Sequence, residues 1–587
     1  MDFFYTEDVA PNMYSQRNMF STVHLLVPLL NCLILSATAG ASSGGTQAPT
    51  AFLDDATFIG SADGLTNKFL GIPYAQPPVG ELRFHRPQPI ERYTGTHTAL
   101  DFGPWCPQHY IAPMGTLPVA IDEDVGSRIV NTVFNPFASQ SEDCLSLNIW
   151  TPPGVNTESA LPVAVWIHGG GFHDGGSALI DGGIIVQRAV QLSEPMIVVS
   201  INYRLSERLA FQWIQKHIHS FGGDASKVVI WGQSAGAMSV AAHMLGNGGN
   251  HDDLFRGAFM HSGSLIPIGD MHGAQVFYDN LVNDAGCSGA FNTLQCLRHI
   301  PFDTLKAAID KSPVFVQSIA TSWFPREDDD FFTGPLHELA EKGAIAKVPV
   351  VIGACEDEGT MFALASLNIT TSEELHAFLS ARFFVNATHE EIDELLSGYP
   401  EDPREGSPFR TGFTNNLTPQ FKRIAALMGD ILFETPRKVF LEATAGRQDV
   451  WTYVTQRRKD VAGLGSAHVT DLFDMFGPSD LTDHFIHFVN HLDPNGPIAA
   501  PPSVNVPESQ QALSASGGAA FMWPKYENTS KTKLVYLDGT TPLGLAEDTD
   551  RDTQLWHTVK FLKEHPMRAS LRLAWTGVFR SQILKLC

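Results

Sequence analysis

The sequence predicts an α/β protein with a mostly parallel central sheet flanked by helices. Two observations predict this class: short runs rich in β-branched residues are apolar on both faces, and helical stretches separate them. Strands that are apolar on both faces must be covered by helices on both sides, as in parallel α/β sheets. The runs that carry this interpretation are residues 162–168, 196–204, 227–232, 348–354, 450–455 and 534–538.

Composition and charge limit the class of protein further. The chain has 587 residues, of which 43% are hydrophobic and 17% charged, as in a globular protein rather than a disordered one. Its net charge of −24 argues against nucleic acid as a partner, because phosphate binding requires clustered Lys and Arg. No internal repeat and no long low-complexity linker interrupts the chain, so we expect one large domain over residues 40–566.

The N-terminal segment predicts secretion. Its apolar run, residues 24–37, leads into the small-residue motif Ala-Thr-Ala at 37–39 and is too short to span a bilayer comfortably. We therefore expect a cleaved signal peptide over residues 1–39, with Met13 or Met19 as alternative starts that give a more usual signal.

Two further features bear on the secretory route and the chain end. Four Asn-x-Ser/Thr triplets agree with secretion, although such triplets also occur by chance: Asn368, Asn386, Asn416 and Asn528. The tail, residues 567–587, mixes basic and apolar side chains. A packing helix, an extended gene model and contact with a membrane all remain open for it.

The pattern Gly-x-Ser-x-Gly occurs twice, and its flanks separate the two copies. Residues 40–44 lie in a small-residue stretch without a strand before them, so we interpret that copy as spacer. The copy at 232–236 follows a predicted strand and precedes a predicted buried helix. This strand–turn–helix with glycines around the serine is a nucleophile elbow, which leaves Ser234 Oγ projecting above the sheet. The helix N-terminus directs N–H groups at charge that develops there.

A serine hydroxyl needs a base, and the base needs an orienting carboxylate. In hydrolases of this architecture, the chain order is Ser, then Asp or Glu, then His. The acid is expected in Glu356-Asp-Glu358, directly after a predicted strand, but spacing alone does not choose among the three residues. The base is expected at His468, in the segment 463–477. The alternatives are that the acidic residues form a solvated loop and that His468 is structural. The order of serine, acid and histidine along the chain favours catalytic roles.

A third piece follows an earlier predicted strand, in Trp166-Ile-His-Gly-Gly-Gly-Phe172. Glycines there let backbone N–H groups approach a substrate oxygen, and the N–H of Ala235 would complete an oxyanion hole. A plain glycine-rich turn is the alternative.

These pieces belong to a longer pattern that resembles the type-B carboxylesterase/lipase family, which includes secreted fungal lipases and cholinesterases. The resemblance covers roughly residues 51–566 and implies an α/β-hydrolase fold. It implies a triad of Ser234, Glu358 and His468, because Asp-Glu-Gly matches the family motif, and an oxyanion hole from Gly170, Gly171 and Ala235. The matching stretches are residues 69–84, 141–150, 168–172, 232–236, 254–264, 355–359 and 465–468.

The resemblance also implies two disulfides, Cys106–Cys144 and Cys287–Cys296. In fungal lipases of this kind, the first loop is a mobile flap over the site. Here the loop contains the apolar segment 110–121, which suits a lipid interface. Permanent packing of that segment on the core is the alternative.

The chain departs from the family pattern at two places. Gln233 stands where the family usually has Glu, which removes a negative charge near the base and predicts a different pH profile. After Ser206, about twenty residues of the pattern are absent, although a crossover needs only about a dozen residues and Ser206 can cap a helix over residues 207–219. We expect the shortened chain to expose apolar surface beside the elbow and to be less stable and less active.

The expected function is that of a secreted serine ester hydrolase, acting through an acyl-enzyme on carboxylic esters with apolar acyl chains. The alternative is a catalytically weak or silent cholinesterase-like binding protein, because of the gap after Ser206. We expect no cofactor and no metal: the chain lacks H-E-x-x-H, and residues 548–552 lack the glycine and glutamate of a calcium loop. The natural ester and the oligomeric state stay open.

Overall fold

The computed structural model describes residues 48–109, 139–204, 207–266, 268–313, 322–384, 387–496, 521–539, 542–549 and 551–564. Several sequence predictions lie outside the described residues: the signal peptide 1–39, the flap segment 110–121, the Ser206 cap, the Asn386 triplet and the tail 567–587. Within the described part, no helix is both long and apolar enough to cross a membrane.

Fourteen strands form the two sheets of the described chain. They are β1 Thr50–Leu53, β2 Asp55–Ile59, β3 Ser61–Ala62, β4 Asn67–Pro73, β5 Thr94–Thr98, β6 Ser146–Thr151, β7 Leu161–Ile167, β8 Ile197–Ile201, β9 Gly223–Gln233, β10 Gly257–His261, β11 Val350–Cys355, β12 Val450–Thr455, β13 Thr532–Tyr536 and β14 Leu543–Glu547.

The main sheet has eleven strands in the order β14-β13-β12-β11-β10-β9-β7-β8-β6-β4-β3. From β13 to β8 all neighbours pair in parallel, and antiparallel pairs are confined to the two ends of the sheet. A small sheet, β1-β2-β5, lies apart from it in the pairing pattern. The mostly parallel α/β sheet predicted from the sequence is confirmed.

The helices connect these strands and cover the sheet. They are α1 Gly183–Gln191, α2 Arg208–His217, α3 Ala235–Leu245, α4 Gln275–Asp284, α5 Thr293–His299, α6 Phe302–Ile309, α7 Leu336–Glu341, α8 Thr360–Ala363, α9 Ser372–Arg382, α10 His389–Ser397, α11 Phe421–Gly429, α12 Thr435–Thr444, α13 Leu472–Met475, α14 Asp480–His491 and α15 Asp552–Glu564.

The central strands are buried on both faces, as their composition predicts. Every residue of β8, β11 and β12 is buried, and so is the end of β9 from Val228 to Gln233. All eleven residues of α3 are buried as well, because its small side chains let the helix lie between neighbouring elements. The element that presents the predicted nucleophile is therefore held from all sides.

Strand β10 was not among the predicted runs. Its sequence, Gly257-Ala-Phe-Met-His261, contains no β-branched residue, so the local signal for a strand is weak. Pairing with β9 on one side and β11 on the other gives it strand geometry. Strand β10 is therefore a strand because of its neighbours in the sheet and not because of its local sequence.

Two covalent links and one ion pair hold the loops in front of the sheet. The structure contains the disulfides Cys106–Cys144 and Cys287–Cys296. Arg83 binds both carboxylate oxygens of Glu142, at 2.6 and 2.7 Å, with both side chains largely buried. A bidentate pair of this kind fixes direction as well as distance.

Candidate active site

Ser234 lies at the sharp turn between β9 and α3. Its backbone has φ 57° and ψ −126°, a conformation that a side chain rarely adopts and that a tight turn enforces. The N–H of Ser234 donates to the carbonyl of His261 in β10, at 2.9 Å, which anchors the strained residue. A Cβ on Gly236 would lie 2.0 Å from the carbonyl oxygen of Ile167, so only glycine lets α3 approach β7 here. The predicted nucleophile elbow is present.

The glycine-rich loop after β7 runs beside Ser234. A Cβ on Gly169 would lie 3.0 Å from Cβ of Ser234, which measures how closely the loop passes. Gly170 and Gly171 have φ of +113° and +58°, as a turn of bare backbone requires. Ala235 is the first residue of α3, so its N–H has no acceptor within the helix. The loop thus passes close to Ser234 and, at His168, to Gly236 in the first turn of α3.

His468 is bound to Glu358 in the interior. Nδ1 of the imidazole lies 2.5 Å from Oε2 of Glu358, and both side chains are almost fully buried. The other carboxylate oxygen, Oε1, accepts the N–H of Cys355 at 2.7 Å. Burial raises the pKa of Glu358, although the contact with His468 opposes that shift. A carboxylate held at Nδ1 leaves Nε2 as the nitrogen that can exchange a proton.

The structure separates the three acids between which spacing could not choose. Glu356 pairs with Arg410 and Lys459, and its side chain is largely buried. Asp357 is fully buried and accepts backbone N–H groups of Phe409 and Ser466 at 2.8 and 2.9 Å. Of the three, Glu358 alone contacts His468.

Cys355, which precedes these acids, is a buried free thiol. Burial raises the pKa of the Cys355 thiol well above its ordinary value, so the group stays protonated. A protonated, enclosed thiol is not a nucleophile, so its position directly before the acids does not make Cys355 a catalytic residue.

Comparisons with known proteins agree with this geometry. The profile of the carboxylesterase family matches residues 58–207 and 207–495. "Secreted lipase 1" of Botryotinia fuckeliana is 38% identical over 522 residues, covering 82% of this chain and 88% of that protein. "Lipase 2" of Diutina rugosa is 37% identical over 559 residues, covering 88% and 96%.

The chain belongs to the carboxylesterase family. The crystal structure of Aspergillus niger EstA is similar in fold, with a TM-score of 0.72 and 25% identity over 89% of this chain and 99% of that one. This carboxylesterase therefore has the α/β-hydrolase fold and is a carboxylic ester hydrolase.

The family match divides at residue 207, the point at which the sequence predicts missing residues. There Glu207 is buried, and its carboxylate accepts Ser239 Oγ at 3.0 Å and lies 3.2 Å from Nε2 of His243. Burial opposes ionisation, but the hydrogen bond and charge of His243 outweigh it and lower the pKa of Glu207. Glu207 thus ties the start of α2 to α3, a contact that sequence reasoning missed. The helix begins at Arg208 and ends at His217, slightly inside the predicted 207–219.

Gln233 contacts the predicted base directly. Its amide Nε2 lies 3.2 Å from Nε2 of His468 and donates to it, since Nδ1 faces Glu358. In the described part of the chain, no hydrogen bond joins His468 to Ser234, so this amide is the partner of Nε2. The place where the carboxylesterase departs from its family pattern is therefore in contact with Nε2 of the predicted base.

The variant Gln233→Glu is expected to move the acid limb of the pH profile of kcat/KM upward by about 1–2 units. A carboxylate at this distance stabilises the protonated imidazole, which then requires a higher pH to become a base. The measurement is kcat/KM for a soluble ester across the pH range. Gln233→Met, which removes the amide donor to the neutral imidazole without adding charge, serves as the control and is expected to move the limb upward by less than Gln233→Glu does. Coincident acid limbs for Gln233→Glu and the wild type would contradict this prediction.

Proposed function

We propose that Ser234, His468 and Glu358 form the catalytic triad of this carboxylesterase. The observation that carries the proposal is the buried Glu358–His468 pair, whose imidazole lies 3.2 Å from the side chain of Gln233, the residue directly before Ser234. In this proposal the nucleophile, the base and the orienting acid come from three separate segments, as in other serine hydrolases.

The reaction then proceeds in two halves. His468 takes the proton of Ser234 Oγ as the hydroxyl attacks the ester carbonyl, and the imidazolium returns that proton to the departing alcohol. Water repeats the attack on the acyl-enzyme, with His468 again as the base, and the acid is released. Glu358 holds Nδ1 and stabilises the charged ring in both halves.

The N–H groups of Gly170, Gly171 and Ala235 receive the oxyanion in this proposal. The close passage of the loop beside Ser234 and the unshared N–H at the start of α3 support it. The positive end of the helix dipole adds to the stabilisation of the negative oxygen.

The substrate is proposed to be an ester with an apolar acyl chain. Phe172, next to the oxyanion loop, packs on Phe324 with ring centroids 5.1 Å apart, and both remain partly exposed. Phe433 lies against the His468 ring at 4.5 Å. These apolar surfaces beside the reacting groups support a hydrocarbon chain rather than a charged one. The names of the two relatives, both lipases, point the same way.

Secretion is proposed on two grounds. The relative from Botryotinia is named a secreted lipase, and the segment 1–39 reads as a signal peptide ahead of a domain over residues 40–566. Of the described glycosylation candidates, Asn368 and Asn528 are exposed and Asn416 is half-buried.

An acyl-length series tests the function. We expect kcat/KM for p-nitrophenyl esters to rise from acetate toward longer chains, because each added methylene gains apolar contact in the transition state. With a long-chain ester, the rate is expected to jump once substrate exceeds its solubility, if the loop closed by Cys106–Cys144 opens at an interface.

Two other outcomes have distinct meanings. Smooth saturation through the solubility limit contradicts opening at an interface and leaves a plain esterase. If folded protein turns over no ester, the proposed enzymatic activity is wrong and the alternative, a catalytically silent binding protein, is favoured. The specific support for that alternative is the division of the family match at residue 207.

A further inference from the structure

A cluster of two histidines and a glutamate lies outside the proposed triad. His487 and His491 are one turn apart on α14, and Glu194 belongs to the connection between α1 and β8. Nε2 of His491 and Nε2 of His487 lie 3.2 and 3.7 Å from Oε1 of Glu194. We propose that these three side chains bind a divalent transition-metal ion, for which Zn²⁺ suits the ligand chemistry best.

The distances from Glu194 Oε1 to the two imidazole nitrogens fit a tetrahedral site. Zn–N and Zn–O bonds of about 2.1 Å place neighbouring ligand atoms about 3.4 Å apart, between the two observed distances. One ligand atom of each residue lies within 4.8 Å of the others. Histidines at i and i+4 share one helix face, which is a recurrent zinc-binding arrangement. His491 is 53% exposed, so water reaches the fourth position.

The surroundings prepare His487 as a ligand. Its Nδ1 donates to the carbonyl of Asp493 at 2.7 Å, which leaves the lone pair on Nε2, the nitrogen that faces Glu194. A Cβ on Gly496 would lie 2.2 Å from that Nε2, so glycine keeps room beside it. Asn490 donates to the backbone carbonyl of Glu194 at 3.2 Å and holds the glutamate segment against α14.

Glu194 has an unsatisfied oxygen. Oε2 is buried and has no hydrogen-bond partner among the described residues. A buried carboxylate oxygen without a donor is costly, and the two histidines approach Oε1 instead. A bound cation, together with its water, supplies the missing partner. An ion pair between Oε1 and a protonated histidine would still leave Oε2 without a hydrogen-bond partner.

A second group of the same residue types lies among the described residues and is less suited. In the group His376, His389 and Asp393, Nε2 of His376 is already hydrogen-bonded to the carbonyl of His389 at 3.1 Å. That nitrogen of His376 is the one that faces Asp393, at 3.8 Å, and it is already engaged by the carbonyl of His389. This group therefore provides a matched control.

The proposed ion joins two segments that are distant in the chain. Arg188 of α1 and Asp483 of α14 already form a buried bidentate pair, with distances of 2.7 and 2.6 Å. Zn²⁺ at Glu194, His487 and His491 would add a second link at the other end of α14. The proposed role of the ion is structural. The sequence alone predicts no metal, because Glu194, the third ligand, belongs to no recognisable metal-binding motif.

The test is calorimetric titration of untagged, chelator-treated full-length protein with Zn²⁺, together with thermal unfolding in Zn²⁺ and in EDTA. We expect one bound Zn²⁺ and a higher Tm in Zn²⁺, since a ligand that binds the folded state stabilises it. His491→Ala is expected to weaken binding by more than about 100-fold and to abolish the rise in Tm, because loss of even an outer-shell partner costs 10- to 100-fold.

His389→Ala is the matched control and is expected to bind Zn²⁺ as the wild type does. Unchanged hydrolysis of a short-chain ester shows that both variants are folded, and His487→Ala gives a second loss-of-ligand variant. Absence of Zn²⁺ binding by the wild type, or equal binding by wild type, His491→Ala and His487→Ala, would overturn the proposal and leave an ordinary histidine–glutamate ion pair.

Discussion

Replacement of Ser234 by alanine is expected to lower kcat for a carboxylic ester by roughly 10⁴- to 10⁶-fold. The variant lacks the hydroxyl that forms the acyl-enzyme, and water alone is a poor substitute in a site shaped around the serine. The fold should persist, because the backbone N–H of Ser234 still donates to His261 and alanine is no larger than serine.

Two measurements check this prediction: turnover of a short-chain p-nitrophenyl ester and labelling by a fluorophosphonate probe. Ser42→Ala is a matched control, because it alters the other Gly-x-Ser-x-Gly copy, which we interpret as spacer from the sequence. Labelling should disappear in Ser234→Ala and persist in Ser42→Ala. If Ser234→Ala is still labelled, Ser234 is not the nucleophile.

Replacement of Glu358 by glutamine is expected to lower kcat by about 10³- to 10⁴-fold with little change in Tm. The amide is nearly isosteric and its oxygen can still accept the N–H of Cys355. It cannot stabilise the imidazolium that forms at His468, and it no longer holds the ring nitrogen Nδ1 by a charge-assisted hydrogen bond.

The neighbouring acids provide the controls for this prediction. Glu356→Gln alters a carboxylate that pairs with Arg410 and Lys459 and does not contact His468, so kcat should stay close to that of the wild type. Asp357→Asn should lower stability by about 1–3 kcal/mol, because a buried acceptor of two backbone N–H groups loses its charge. A loss of kcat in Glu356→Gln equal to that in Glu358→Gln would show that the acid is wrongly assigned.

Much of the fold could be predicted from local patterns in the sequence. Strands buried on both faces require continuous apolar, β-branched runs, and such runs stand out in any window of the chain, as at β8 and β12. The elbow around Ser234 could also be predicted from a local pattern. A turn this tight has no room for side chains next to the serine, so it requires glycines, and these are visible in the sequence. The family resemblance rested on these local stretches.

Contacts between distant segments were decided by the tertiary structure alone. His468 meets Glu358 across 110 residues and Gln233 across 235, and no local pattern encodes a pairing over such distances. Spacing could not choose Glu358 from its two acidic neighbours, since the choice depends on which carboxylate the turn after β11 directs at His468. Likewise, His487 and His491 form a pattern on α14, but Glu194 meets them only because the sheet and its helices bring the end of α1 against that helix.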